Sequence, residues 1–230
     1  MYAPRHFAES DPTILRDAVR QIRAGELITV GSAGIEASFV PLLMSDDAAT
    51  VTGHLARGNG QCERADPSVP VLVSWVGPSA YVSPSFYPSK REHGKVVPTW
   101  NFIAVQARGT LTLHHDDGWK RALVVALTDA HERTCDEPWS VEDAPAEYVS
   151  AMVAGIVGFE VRVTSLEGKW KLSQNKSEAD VAGVIAALRS DAATSTDALV
   201  ADQMAQSTSQ LPTRLPGPTG PATSGGRGVG

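Results

Sequence analysis

An antiparallel β-barrel or sandwich with flanking helices, an α+β arrangement, is the fold class this sequence predicts, and three observations predict it. Short apolar runs follow one another with turn residues between them, the rhythm of a meander. Helical periodicity appears outside that run, near the start and again after Asp116. The hydrophobic fraction, 42% of 230 residues, suffices for a sizeable core in one or two domains.

Asp11-Pro12 reads as an N-cap with proline in the first helical turn, and Ile14, Leu15, Ala18, Val19 and Ile22 recur at helical spacing up to Gly25. Strand-like runs follow at Leu27–Val30, Ala37–Met44 and Thr50–Leu55. Val69–Val76 is a nearly continuous apolar run, and Gly77-Pro78-Ser79 predicts a turn that returns the chain through Ala80–Ser83 as the partner strand. Trp100–Gly109 and Thr110–His114 continue the strand pattern. Beyond Asp116-Asp117-Gly118, the spacing of Trp119, Leu123, Ala126, Leu127 and Ala130 predicts an amphipathic helix ending near His131. A second helix is expected from Asp143, with Pro145 just inside it, toward Ala154, and both helices should cap the barrel. Phe159, Val161 and Val163 alternate with polar residues as in a half-buried strand, and Ser177 caps a last helix through Leu188. The folded domain is therefore expected over residues 1–189. Residues 190–230, rich in Pro, Gly, Ser and Thr, read as a disordered tail in which Ala198–Met204 forms at most a transient helix.

The stretch from Val82 to Val105 gathers hydroxyls (Ser83, Ser85, Ser89, Thr99), cations (Lys90, Arg91, Lys95) and aromatic faces (Phe86, Tyr87, Trp100, Phe102). Prolines 84, 88 and 98 interrupt it, which predicts a shaped loop without helix leading into a strand. Cations beside hydroxyls and planar side chains suit an anionic, partly aromatic ligand, and a flavin mononucleotide fits that description. A long surface connection with solvated charges fits the same residues. Gly53-His54-Leu55-Ala56-Arg57, followed by Gly58-Asn59-Gly60-Gln61, places imidazole, guanidinium and amide groups at the end of the third strand. Arginine there offers a fork of donors to phosphate; a polar turn with a solvated arginine is the plainer reading.

A net charge of −6 opposes the generic attraction on which most nucleic-acid binders rely, and no helix-turn-helix is evident, so any DNA contact would be local. No apolar run is long enough to span a bilayer and the first residues are too polar for a signal peptide, so a cytoplasmic location is the expectation. Cys62 and Cys135 lack metal-ligand spacing and are expected as reduced thiols. His131-Glu132 lacks the second histidine of a zinc-protease helix, because position 135 is Cys, and a helix-terminal histidine is the better reading. His114-His115 reads as a solvated pair at a strand end. No Rossmann, P-loop or nucleophile-elbow device is present, so no catalytic residue can be named and a bound nucleotide would be held by other means.

Six segments in order, MYAPRHFAESD, GHLARGN, GPSAYVSPSFYPSK, KVVPTWNFIAV, HERTCDEPWSVEDAP and LEGKWKLSQNKS, resemble the PaiB family of FMN-binding negative transcriptional regulators over residues 1–189. The resemblance implies an FMN-binding split β-barrel, mainly antiparallel, forming a homodimer with FMN near the subunit interface. It points first to His54, Arg57, Asn59 and Gln61 for the flavin phosphate or ribityl chain. Ser83, Ser85, Tyr87, Lys90, Thr99, Trp100 and Asn101 match the other shared segments, followed by Trp170, Lys171 and Gln174. This chain has Gly58-Asn59-Gly60-Gln61-Cys62 where the family more often has Ala-Asn-Pro-Gln-Trp, and Phe86 where Trp is common. Other readings compatible with the resemblance are a flavin-dependent oxidoreductase related to pyridoxamine-phosphate oxidases and flavin reductases, and a relative carrying haem or a deazaflavin.

Overall fold

The computed structural model describes residues 1–190 and 192–209. In chain order the elements are β1 (Ala8–Glu9), α1 (Pro12–Ile22), β2 (Ala24–Gly31), β3 (Gly34–Met44), β4 (Thr50–Ala56), α2 (Gln61–Arg64), β5 (Val71–Val82), α3 (Ser89–His93), β6 (Thr99–His114), α4 (Asp117–Glu132), α5 (Ala146–Ala154), β7 (Ile156–Lys171), α6 (Glu178–Leu188) and α7 (Ser195–Ser209). Every strand pairing is antiparallel, in the order β1-β7-β4-β3-β2-β5-β6, and β6 pairs in turn with β7 and closes the barrel.

The barrel interior is the core that the period-2 strands foretell. Leu27, Val40, Leu42, Val51, Leu55, Val73, Trp75, Val105, Phe159 and Val161 pack there, with Leu15 and Val19 of α1 plugging the space between the strands. The expected cap of α1 is present: Asp11 Oδ1 accepts from Thr13 N at 2.8 Å, and Pro12 loses no helical hydrogen bond at that position. Asp116 and Ser177 cap α4 and α6 in the same manner.

Three sequence expectations are corrected. Gly77-Pro78-Ser79 is not a turn, because β5 runs on to Val82 and absorbs those residues as an irregularity between Val76 and Ser79; the segments on both sides of it pair with β6. The loop after β5 does contain helix, a 3-10 turn at Pro84–Phe86 and the short α3, since Pro84 and Pro88 sit at helix starts where their missing N–H costs nothing. Nor does the fold stop at residue 189. Val200, Ala201 and Met204 of α7 are buried against Val82, Tyr87, Leu172, Val184 and Leu188, in a second core that spans α6, α7 and one end of the barrel. Their spacing places all three on one helical face. Residues 210–230, expected in the tail, lie outside the described residues.

Candidate functional site

The residues singled out in the sequence fall into two groups at opposite ends of β7. His54 pairs with Gly158 near the start of that strand, and Lys171 pairs with Phe102 at its end. At about 3.3 Å per residue the strand path between them is roughly 40 Å.

At the first end, His54 lies on the outer face of β4, half-buried, and its Nδ1 is enclosed without a hydrogen bond. Burial depresses its pKa below the usual histidine value. His114 of β6 also faces Gly158 across the sheet, and it stacks on Trp119 of α4 at 3.9 Å with the rings nearly parallel. It is therefore not the solvated residue expected; its Nε2 is buried and unpaired. Gly158 makes this stack possible, because a Cβ there would overlap the Trp119 ring. Arg57 is exposed and its Nε donates to Ala154 O at 2.6 Å, which leaves the far edge of the guanidinium toward solvent.

Asn59 and Gln61 have a different role from the one expected. Gln61 is buried, and its amide nitrogen donates to Leu27 O and Thr29 Oγ1 at 3.1 and 3.0 Å while its oxygen accepts from Ser38 Oγ. Asn59 Nδ2 donates to Ser38 Oγ and its oxygen accepts from Gln61 N. These two amides clip α2 to β2 and β3 and have little capacity left for a ligand. Gly60 gives up its side-chain space to the Arg64 guanidinium, which pairs with Glu36.

At the second end, Tyr87, Thr99, Asn101 and Lys171 line one cavity of about 190 Å³ with Phe7, Val97, Ser173 and Lys176. The Lys171 ammonium donates to Thr99 Oγ1 and to Trp100 O, both neutral acceptors, and Lys176 lies over the Tyr87 ring at 5.2 Å. Neither ammonium contacts a carboxylate among the described residues. Burial, with the neighbouring Lys169 and Lys176, lowers the Lys171 pKa. Tyr87 Oη is buried and makes no geometrically complete hydrogen bond among the described residues; the Ser173 hydroxyl lies close to it and is bonded to Asn101. Burial accordingly raises the Tyr87 pKa. Asn101 is fully buried in the wall of this cavity, and its amide is committed to Ser173 and Met204 Sδ, so it holds α7 to β6.

Phe7 separates this cavity from a second one of about 460 Å³, lined by Trp170, Gln174 and the α7 residues Gln203 and Ser207 among others. Gln174 is spent on Leu172 N and Trp170 O. Ser83, Ser85 and Lys90 are not brought into either cavity: Ser83 Oγ accepts from Ser85 N, and Lys90 Nζ donates to Ser85 Oγ on the loop surface. Trp100 points outward with Tyr81, edge to face at 6.0 Å, and both are about half exposed. Sequence reasoning missed Phe7, Lys176 and Ser173. The repeated cation and aromatic pattern around Trp170 was the available signal for Lys176.

The four committed amides Asn59, Gln61, Asn101 and Gln174 aside, this donor set fits a phosphate-bearing ligand: ammonium groups in no ion pair among the described residues, a buried phenol, and an outward guanidinium. The class defined by the closed antiparallel barrel and this chemistry is the flavin-binding split barrel. The family model described as "Putative FMN-binding domain" matches residues 1–165, and the chain belongs to that family. It is 32% identical over 193 residues to Protease synthase and sporulation protein PAI 2 of Bacillus subtilis, covering 83% of this chain and 90% of that protein. Among solved structures, the flavocytochrome Anf3 of Azotobacter vinelandii aligns with a TM-score of 0.57 at 11% identity, over 79% of this chain and 78% of that one. The FAD and heme binding protein of Mycobacterium smegmatis aligns at 0.53 and 14%, over 76% and 78%. At these identities the structural likenesses speak for the fold.

Proposed function

We propose that this protein is a homodimeric, FMN-dependent regulatory protein whose flavin is held between protomers, with His54 and Arg57 supplied by one subunit and Tyr87, Lys171 and Lys176 by the other. The division of uncommitted polar groups between two distant ends of β7 carries this reading. The cavity at the second end, about 190 Å³, is below the roughly 300 Å³ at which pockets begin to enclose a small organic ligand, so one protomer supplies only part of a site. The outer sheet face exposes Phe39, Val76, Tyr81 and Trp100, and Phe39 and Val76 share a shallow groove. Apolar surface of that kind on β3, β5 and β6 suits a second copy of the chain.

The regulatory output is drawn from the likeness to PAI 2, and the net charge of −6 favours a protein partner over DNA as its target. Bound FMN supplies redox chemistry, and the chain supplies its binding and orientation. Light scattering of flavin-loaded protein should give about twice the 24.3 kDa chain mass. Arg57→Ala should weaken FMN at least about tenfold, as expected for a lost charge-assisted hydrogen bond, and leave riboflavin nearly unaffected. A monomer that retains FMN, or equal losses for FMN and riboflavin, would contradict the reading.

A further inference from the structure

Apart from both ends of β7, the described residues contain a larger cavity of about 480 Å³, enclosed by the C-terminal ends of α1 and α4 and by the β3–β4 hairpin. Arg20, Arg23, His131 and Arg133 line it, together with Thr50 and Thr52. Its one acidic residue, Asp46, is paired with Arg20. Arg23 and Arg133 form no side-chain hydrogen bond or ion pair within the described chain.

Helix C-termini attract cations, so charge compensation is the plain explanation for such a cluster. Its magnitude falls short. Two helix ends contribute about half an elementary negative charge each, and Asp46 one more, against three guanidinium groups. A positive surplus remains in a chain whose net charge is −6.

The backbone of Arg23 adds an independent observation. It caps α1 at φ 67° and ψ −36°, in a region that glycine occupies without strain and other residues rarely adopt. The position is fixed from both sides, Arg23 N donating to Val19 O at 2.8 Å and its carbonyl accepting from Leu42 N at 2.9 Å. A glycine would satisfy that geometry at lower cost. The arginine side chain at this strained position instead lines the cavity.

We propose that this cavity is a second anion site, built for a compact ligand of the oligophosphate class with at least two negative charges. Arg23 and Arg133 are its principal donors, and Thr50 and Thr52 add neutral hydrogen bonds. The site goes beyond the flavin reading, since it uses none of the residues assigned to FMN.

Calorimetric titration of inorganic pyrophosphate into the full-length, FMN-loaded protein tests it. One saturable site per chain is expected, with affinity that falls as potassium chloride is raised. Arg23→Gly should lower pyrophosphate affinity at least about tenfold while the Tm stays level or rises, because the backbone strain is relieved as the donor is lost. A residue with a purely structural role would lower the Tm instead. Arg133→Ala should give the same loss of binding without touching the strained cap, and Arg57→Ala should leave pyrophosphate binding unchanged. The proposal is overturned if no saturable binding occurs, if Arg23→Gly and Arg133→Ala both retain wild-type affinity, or if Arg57→Ala abolishes binding. Displacement of FMN by pyrophosphate would also overturn it, since the cavity would then be the seat of the flavin phosphate.

Discussion

The two ends of β7 are built on opposite plans. At the Gly158 end, flat rings fill the space a side chain would have taken: Trp119 of α4 lies over the glycine and stacks on His114, and His54 flanks the same position from β4. At the Lys171 end, a helix from beyond residue 190 seals the barrel and small polar groups remain around a cavity between Tyr87 and the lysines. One end is aromatic and closely packed with its cation outside; the other is cationic inside with its covering element supplied late in the chain. In the dimer proposed above, a ligand that needs both chemistries would draw them from two copies of the molecule.

The largest expected difference concerns the helical seal. Met204 is about fully buried and its sulfur receives Asn101 Nδ2 at 3.3 Å. Met204→Ala should cost roughly 2–5 kcal/mol, within the range for buried large-to-small substitutions, read by chemical denaturation. Trimming the chain at residue 189 should likewise lower stability, and an unchanged Tm would show that α7 does not belong to the folded unit. The matching test at the other end is Gly158→Ala, whose new methyl group must displace the Trp119 ring. Overpacking of this kind costs about 1–3 kcal/mol, and near-UV circular dichroism should register the disturbed tryptophan. If Gly158→Ala is neutral, the aromatic end is looser than its packing implies.

Tyr87→Phe separates ligand binding from folding at the cationic end. Its hydroxyl makes no geometrically complete hydrogen bond among the described residues, so removing it should change the stability of the flavin-free protein by less than about 0.5 kcal/mol while weakening FMN. A large stability loss would mean that the phenol is already satisfied within the chain. The smallest effect is expected from His54. Its folded pKa lies below the unfolded value because burial disfavours the charged ring, so the unfolded chain binds more protons in the interval between the two. Stability should be full above the unfolded value and fall as pH drops through that interval toward the folded value. His54→Gln should flatten this acid-side slope in thermal melts, and an unchanged slope would assign it to other groups.

Most of the barrel was legible because half-buried strands announce themselves by alternation, and the caps at Asp11, Asp116 and Ser177 mark where helices begin. What escaped the sequence depended on partners distant along the chain. Gly-Pro-Ser at 77–79 has turn chemistry, and only its pairing with β6 shows it to be an irregularity inside a strand. The apolar face of α7 is a short set in a stretch rich in Ser, Thr and Gln, and it acquires meaning from the surfaces of α6 and β5 that it covers. The site was half legible. Residue types suited to a flavin phosphate were visible, but nothing local shows that the Gln61 amide is consumed by Leu27 and Thr29, or that Lys171 is left without an acid.

Mixing two defective variants tests the shared site most directly. Arg57→Ala and Lys171→Met, each purified and each expected to have lost FMN affinity, would be unfolded together, refolded and titrated with FMN. If each site takes Arg57 from one protomer and Lys171 from the other, every mixed dimer regains one site with both residues intact, and tight FMN binding should reappear in proportion to the mixed dimers formed. If the mixture binds no better than its two components, the flavin is held within a single protomer or without one of these residues, and the account of a composite site is wrong.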